Sequence, residues 1–397
     1  MTLTPAMQQY YDMKKEYSDS ILFFRMWDFY EMFDEDAHIA HRVLWINVTS
    51  RNKNADKPQP LAWIPYHAKD KYLPMLINAW YKVAICEQVS DPKLKWIVKR
   101  EVVRVVTPST LYLEWEQFDN IEWNNCIVSI VEDKWAYALS MIDLKNNTWS
   151  VWEFSCFSFL ELELFKISPK EVILDKKLYL NTELKDILWK KYSLNIFYFE
   201  AKYNSREKLL KHFNTRNLEW FWIEEKKLSQ KAASMLLEYI EWNQKNNFNF
   251  LDSISYMTFN KYMDLSESTI RSLDLIYNFS TNSRTIWTLF WVLNKTNTAM
   301  WNRLLRNNIL SPLQDIKEIN ERQIFIWEFL DNTILLDKVR DKLKIVSDID
   351  AILNRLSLDR AKPIDMLNLK KSLESIVEIF NLIEKDWSKK LKKIINK

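Results

Sequence analysis

Few residues of this 397-residue chain stand where they could do bond chemistry. His38 and His41 are three apart on a predicted helix, a spacing that suits two metal ligands, but no further ligand lies nearby in sequence. Asp143 and Asp175 are the carboxylates a two-metal nuclease could use, yet no tight acidic cluster surrounds them and Asp143 also starts a turn. Cys86, Cys126 and Cys156 are widely spaced with no CxxC pair, which argues against zinc and a disulfide framework and fits a reducing cytoplasm. His67, beside Tyr66, reads as a structural hydrogen-bonder. The pair with a different potential is Phe29 and Glu31. Two apart in an extended segment, they point the same way, so a ring and a carboxylate face one target together. Spacing alone assigns Phe29, in the cluster Phe23-Phe24-Phe29-Tyr30-Phe33, to a core, and Glu31 to solvent.

The elements that must position these residues fall into three regions. Over residues 1–113, Thr4-Pro5 opens a helix, with Thr as N-cap and Pro in the first turn. Ile21 to Phe29 reads as a strand that Trp27 interrupts, Asp34 to Leu44 as a helix with an acidic first turn, and Arg51 to Pro60 as a polar loop. A helix over Tyr72 to Trp80 and buried strands at Val83 to Cys86 and Glu101 to Val106 follow, and Thr107-Pro108-Ser109 ends the unit. A linker over 114–125 leads to a second α/β unit, 126–245. Its strands are Cys126 to Val131, Tyr137 to Leu144 and Val151 to Phe154, then helix Phe159 to Lys166 and strand Glu171 to Leu174, a small mixed sheet flanked by helices. From about 229 the chain turns helical, and 246–397 is an all-α region. There Leu336, Val339, Leu343, Val346, Ile349, Ile352, Leu353 and Leu356 keep a helical period broken at Ser347-Asp348. The Lys385 to Lys397 run reads as a solvated helix face with no terminating signal.

Composition adds one anomaly. The chain has no glycine and nineteen tryptophans, where roughly 28 glycines would be ordinary for this length. The tryptophans fall where glycine is useful: Trp149 between two alternating runs, Trp220 and Trp222 around Phe221, Trp27 within the strand-like run. The expectation is that most of them are glycines in the living protein, encoded by UGA, a codon that some bacterial codes read as glycine and others as tryptophan. Net charge is only +3, so any contact with nucleic acid must use local patches. No apolar run reaches membrane-spanning length and no signal-peptide pattern opens the chain, so a soluble, cytoplasmic protein is expected.

With tryptophan read as glycine, several stretches resemble the MutS family of DNA mismatch repair proteins. Arg25-Met26-Trp27-Asp28-Phe29-Tyr30-Glu31-Met32-Phe33 is similar to the family's mismatch-reading motif. Leu61-Ala62-Trp63-Ile64-Pro65-Tyr66-His67-Ala68, Val83 to Gln88 and Val98 to Pro108 are also family-like, with Ser109 where glycine is usual. Thr296 to Leu305 and Asp348 to Pro363 resemble its core helices. Trp27, Trp63, Trp80, Trp96 and Trp301 all fall on family glycines; Trp291 is the candidate for a genuine tryptophan.

The resemblance implies a mixed α/β mismatch-recognition domain, a ribonuclease-H-like connector domain and part of a helical lever core. It implies that Phe29 wedges into the minor groove against the mispaired base and that Glu31 hydrogen-bonds to it. Arg51, Lys99, Arg100 and Arg104 are then the candidates to hold the DNA backbone, with Lys53, Lys57 and Lys69 on loops. The partner implied is mismatched double-stranded DNA, and for full-length relatives a homodimer, MutL, ATP with Mg, and a nucleoid-associated location. A phosphate-binding loop under the glycine reading needs Trp-Lys followed by Ser or Thr, and Trp189-Lys190-Lys191 fails that test. The chain is therefore expected to be the first half of such a protein, with no ATPase, no metal and no cofactor of its own. Two alternatives stay open: a ribonuclease-H-like metal-dependent nuclease, and a MutS-like paralogue that binds partners without reading mismatches. The intact Phe-Tyr-Glu argues against the latter.

Overall fold

The computed structural model describes residues 4–50, 58–90, 98–111, 125–134, 136–144, 146–192, 194–244, 251–258, 262–278, 286–357 and 361–386. The first unit contains α1 (Pro5–Glu16), β1 (Ser20–Met26), β2 (Phe29–Phe33), α2 (Glu35–Leu44), β3 (Thr49–Ser50), β4 (Pro60–Pro65), α3 (Lys69–Asn78), β5 (Lys82–Gln88) and β6 (Arg100–Val106). As the sequence dictates, the Met7 amide donates to Thr4 Oγ1 at the start of α1 and Pro5 fills its first turn. The strands form one sheet ordered β3-β4-β2-β1-β5-β6. The single strand expected from Ile21 to Phe29 is instead a hairpin. It breaks at Trp27-Asp28, and Phe29 opens the second strand, with Met26 opposite Phe29 and Phe24 opposite Glu31.

That register sorts the side chains by face. Tyr30, Met32 and Phe23 pack under α2 and α3 with Leu73 and Leu76. Leu22, Phe24 and Phe33 face the other way, where Tyr10 of α1 meets Phe24 and Phe33 edge-on. Asp36 is buried between the layers, accepting from the Leu22 amide at 3.0 Å and from Lys14 Nζ at 2.8 Å.

The second unit comprises β7 (Cys126–Asp133), β8 (Ala136–Asp143), β9 (Thr148–Phe154), α4 (Phe157–Ile167), β10 (Glu171–Leu174), α5 (Lys176–Tyr179), α6 (Thr182–Tyr192), β11 (Asn195–Tyr198), α7 (Ser205–Phe213), α8 (Lys227–Gln244) and β12 (Ser255–Tyr256). Its sheet runs β11-β10-β7-β8-β9-β12, an antiparallel meander extended by parallel β10 and β11. Both faces are covered, which is why β7 reads as an almost unbroken apolar run. Val128 and Ile130 join Leu160, Leu164 and Leu188 of α4 and α6. Ile127 and Val131 join Ala232, Ala233 and Leu236 of α8. Ser129 interrupts the run and donates to the Ala232 carbonyl at 2.7 Å. The turn between β8 and β9 places its left-handed residue at Asn147 (φ 52°), not at Trp149. Trp149 is buried in β9 and donates to Ser140 Oγ at 2.9 Å.

The two sheets are joined where Thr107-Pro108-Ser109 leaves the first. The Ser109 amide and the Tyr239 hydroxyl both donate to the buried carboxylate of Glu171, at 2.6 and 2.8 Å. Trp242 of α8 stacks on Tyr17, and Gln244 donates to the Val105 carbonyl. Beyond residue 262 come α9 (Glu267–Ser272), α10 (Leu289–Leu293), α11 (Ala299–Leu310), α12 (Ile316–Asp331), α13 (Thr333–Leu343), α14 (Ile349–Ser357) and α15 (Pro363–Asp386). The break expected at Ser347-Asp348 separates α13 from α14, and Arg303 forks onto Asp348 at 2.7 and 3.1 Å. No helix among the described residues is long and apolar enough to cross a membrane.

His212 gives this fold a pH signature. Burial against Trp149 and Phe213 holds its imidazole below the ordinary value of 6.5, and Nε2 lies 2.8 Å from the Leu251 carbonyl. A base whose pKa falls on folding contributes stability above its unfolded value and loses it as pH drops below that value. The melting temperature should therefore fall as pH is lowered from 7 through 6.5 toward 5. His212→Gln should flatten that fall in a thermal-melt series; an unchanged profile would exclude His212 as its source.

Candidate nucleic-acid interface

The face of the first sheet that α1 covers is graded. Phe33 and Phe24 lie fully buried beneath Tyr10, whereas Phe29, at the start of β2, keeps 37% of its surface exposed. Glu31 lies between them on the same face, half-buried, with Phe24 and Trp63 as its cross-strand neighbours. The ring and the carboxylate therefore emerge together at the bare end of the sheet, as their spacing requires. Trp63 of β4 meets the Phe29 ring edge-on at 4.7 Å and is itself 44% exposed.

The opposite face holds this end rigid. Tyr30 donates its hydroxyl to Glu87 of β5, whose other oxygen lies 3.6 Å from the Arg25 guanidinium. Burial, followed by the hydrogen bond to Glu87, pushes the Tyr30 hydroxyl well above its ordinary pKa, so it remains a donor. Arg25 also covers the Tyr66 ring at 3.9 Å and donates from Nε to the Trp27 carbonyl at 2.5 Å. The Tyr66 amide donates to the Asp28 carbonyl at 2.9 Å. The turn carrying Phe29 is thus tied to β5 through the charged Arg25 and Glu87 and, just past β4, to the Tyr66 amide. Sequence reasoning gave Arg25, Glu87 and Tyr66 no role. The available signal was that Arg25 and Glu87 each interrupt an apolar strand run, and a charge inside such a run needs a partner.

The cations expected to hold the DNA backbone divide. Arg100 is a correction: it is buried beneath α1, donating from Nε to the Arg25 carbonyl at 2.8 Å and from its guanidinium to the Val98 carbonyl at 3.1 Å. Its guanidinium lies over Phe24 at 5.2 Å. Strand alternation explains this, since Arg100 shares its side of β6 with buried Val102. Lys99 is exposed and pairs with Glu101 at 2.5 Å, and Arg104 is half-buried. Arg51, Lys53, Lys57 and Trp96 lie outside the described residues. Lys69 lies 3.8 Å from Asp70.

The remaining candidates are occupied structurally. Asp143 accepts from the Asn146 amide in its turn, and Asp175 caps α5 through the Leu178 amide while Lys231 approaches at 3.2 Å. Asp143 lies within electrostatic reach of Asp350 and of the Arg303 guanidinium, which already bonds the carboxylates of Asp348 and Asp350, and no group of three or more His, Cys, Asp or Glu among the described residues could hold a metal. His41 contacts the Ile46 carbonyl, His38 is exposed, and His67 sits edge-on to Tyr66.

Comparison with known proteins matches three family models in chain order: MutS domain I over residues 4–114, MutS domain II over 125–252 and MutS domain III over 268–396. A relative from Streptococcus agalactiae named DNA mismatch repair protein MutS is 35% identical over 398 residues, which is 100% of this chain and 44% of the relative. Relatives of the same name from Dehalococcoides mccartyi and Streptococcus pyogenes are 38% and 36% identical, covering 95% and 99% of this chain. The chain spans less than half the length of these relatives, 43% and 44% of the latter two.

The inward placement of Arg100 predicts that Arg100→Met costs about 1–3 kcal/mol in urea unfolding, because two partly buried carbonyls lose a charged donor. The salt dependence of DNA affinity should not change. A reduced salt slope with unaltered stability would return Arg100 to the DNA backbone.

Proposed function

The chain belongs to the MutS family of DNA mismatch repair proteins, and on that premise we propose that its first unit reads mismatched duplex DNA by wedging Phe29 between bases. The observation that carries this reading is the half-exposed Phe29 ring beside Glu31 at the uncovered end of a rigid sheet face. Inserting a ring into the minor groove unstacks a base step at a cost of a few kcal/mol and kinks the duplex, to order of magnitude. A mispair has already lost good pairing and stacking, so the kink forms there at lower cost. No bond is broken; recognition is a difference in deformation energy.

Glu31 sharpens the difference. A carboxylate directed at DNA is repelled by the phosphates, and a correctly paired base offers it no donor in compensation. A mispaired base with a free N–H does. Lys99 supplies backbone attraction, since its exposed pairing with Glu101 is weak and readily exchanged for a phosphate. Arg104 and the loop cations Arg51, Lys53 and Lys57 are assigned the same task. For the whole-length protein the proposal extends to a homodimer that works on the nucleoid, uses ATP and Mg outside the span covered here, and passes the marked site to MutL.

Phe29→Ala should erase the preference for a mismatch over homoduplex while leaving weak, salt-dependent binding, as read by fluorescence anisotropy. A variant that discriminates as well as the parent would remove the wedge. Lys99→Ala should weaken binding to both duplexes alike and lower the salt slope by about 1. An effect confined to mismatched DNA would contradict its assignment to the backbone.

A further inference from the structure

Eleven described residues have a left-handed backbone, and five of them are tryptophan: Trp27, Trp45, Trp80, Trp222 and Trp287, with φ between 55° and 69°. Four others are Asn or Asp, which tolerate this region through local hydrogen bonds: Asp34, Asn147, Asn214 and Asp274. A bulky aromatic does not tolerate it. In this conformation Cβ crowds the following carbonyl, and only glycine escapes that at no steric cost. Glycine is also the one common residue this chain lacks.

The hydrogen bonds at these sites specify the same residue. After α3 the Trp80 amide donates to the Ile77 carbonyl and the Tyr81 amide to the Leu76 carbonyl, at 2.9 and 3.1 Å. That paired closure of a helix end places its left-handed residue, normally glycine, at position 80. Trp222 repeats it, with its own amide on Glu219 and the Ile223 amide on Leu218. Trp45 ends α2 with a single bond from its amide to the His41 carbonyl, the simpler form of the same closure. Asn214 closes α7 with the same left-handed residue, its amide and that of Thr215 both donating to the Leu210 carbonyl. Two of the rings gain almost no burial in exchange: Trp45 and Trp222 are 86% and 79% exposed.

From these observations we infer that positions 27, 45, 80, 222 and 287 are glycine in the living protein, read from a codon shared between glycine and tryptophan, and that glycine 27 is a positioning residue of the DNA-reading turn. The backbone at 27 bends β1 into β2 immediately before Phe29, and an indole there is 71% exposed on the side that must meet the duplex. A hydrogen in its place lets the turn approach the bases closely. This last clause rests on the proposed mismatch reading; the assignment of residue identity does not.

The test has two arms. Peptide mass spectrometry of the chain isolated from its own cells should give fragments spanning all five positions at the mass of glycine. Tryptophan at any of them as the predominant species overturns the inference at that position. Independently, the chain made with the five glycines should melt at a higher temperature than the chain with five tryptophans; equal or lower stability overturns the backbone argument. With Trp27→Gly alone, discrimination of mismatch from homoduplex should rise by at least severalfold, and an unchanged ratio removes the positioning role. Glycine found by mass with no discrimination in either chain would refute the mismatch reading and leave the decoding intact.

Discussion

The period of two along a β-strand is the constraint on which the rest of this structure depends. Phe29, Glu31 and Phe33 share one face of β2 because alternate side chains must. α1 covers that face at Phe33 and Phe24 and leaves it bare toward Phe29. One strand therefore contributes both to a hydrophobic core and to an exposed ring and half-buried carboxylate, and the transition between them takes four residues. A shift of one residue in register would exchange Phe29 with Tyr30 and bury that ring.

A wedge is useful only if it does not yield. The tie from Tyr30 through Glu87 to Arg25, and from Arg25 onto Tyr66, lies on the reverse of the same strands, so the face that carries Phe29 and the face that stiffens it are separate. Arg100 contributes from beneath, joining the Arg25 carbonyl to the end of β6. The first sheet is not a loose appendage either. Glu171 of the second sheet receives Ser109 and Tyr239 together, Lys82 of β5 lies 4.0 Å over Phe197 of β11, and Trp242 stacks on Tyr17. These buried contacts make the end of the first sheet continuous with α8 and the second sheet.

Much of this was legible in the residues. The apolar runs of β5, β6, β7 and β10, the Thr4-Pro5 helix start and the Ser347-Asp348 break are local signals, and they appear where local physics puts them. The Phe29–Glu31 pair was legible as a direction, through alternation, and as a role only through its resemblance to a family. What could not be read was whatever depends on partners distant in sequence. Arg100 and Lys99 are adjacent cations, and which one turns inward is decided by α1 lying over β6. Trp27 marks an interruption of the apolar run but not the antiparallel return that follows it, and the turn position that Trp149 offers belongs instead to Asn147. In both cases the backbone, rather than the side-chain type, identified the position.

The central claim is that the ring of residue 29 enters the base stack at a mispair and nowhere else. Photocrosslinking with 5-iodouracil placed in the mispair tests it most directly, since that base couples to an aromatic ring stacked against it. The account predicts an adduct that maps to Phe29 on mismatched duplex and disappears when the iodouracil is correctly paired. An adduct of equal yield on both duplexes, or one mapped to another residue, would contradict it.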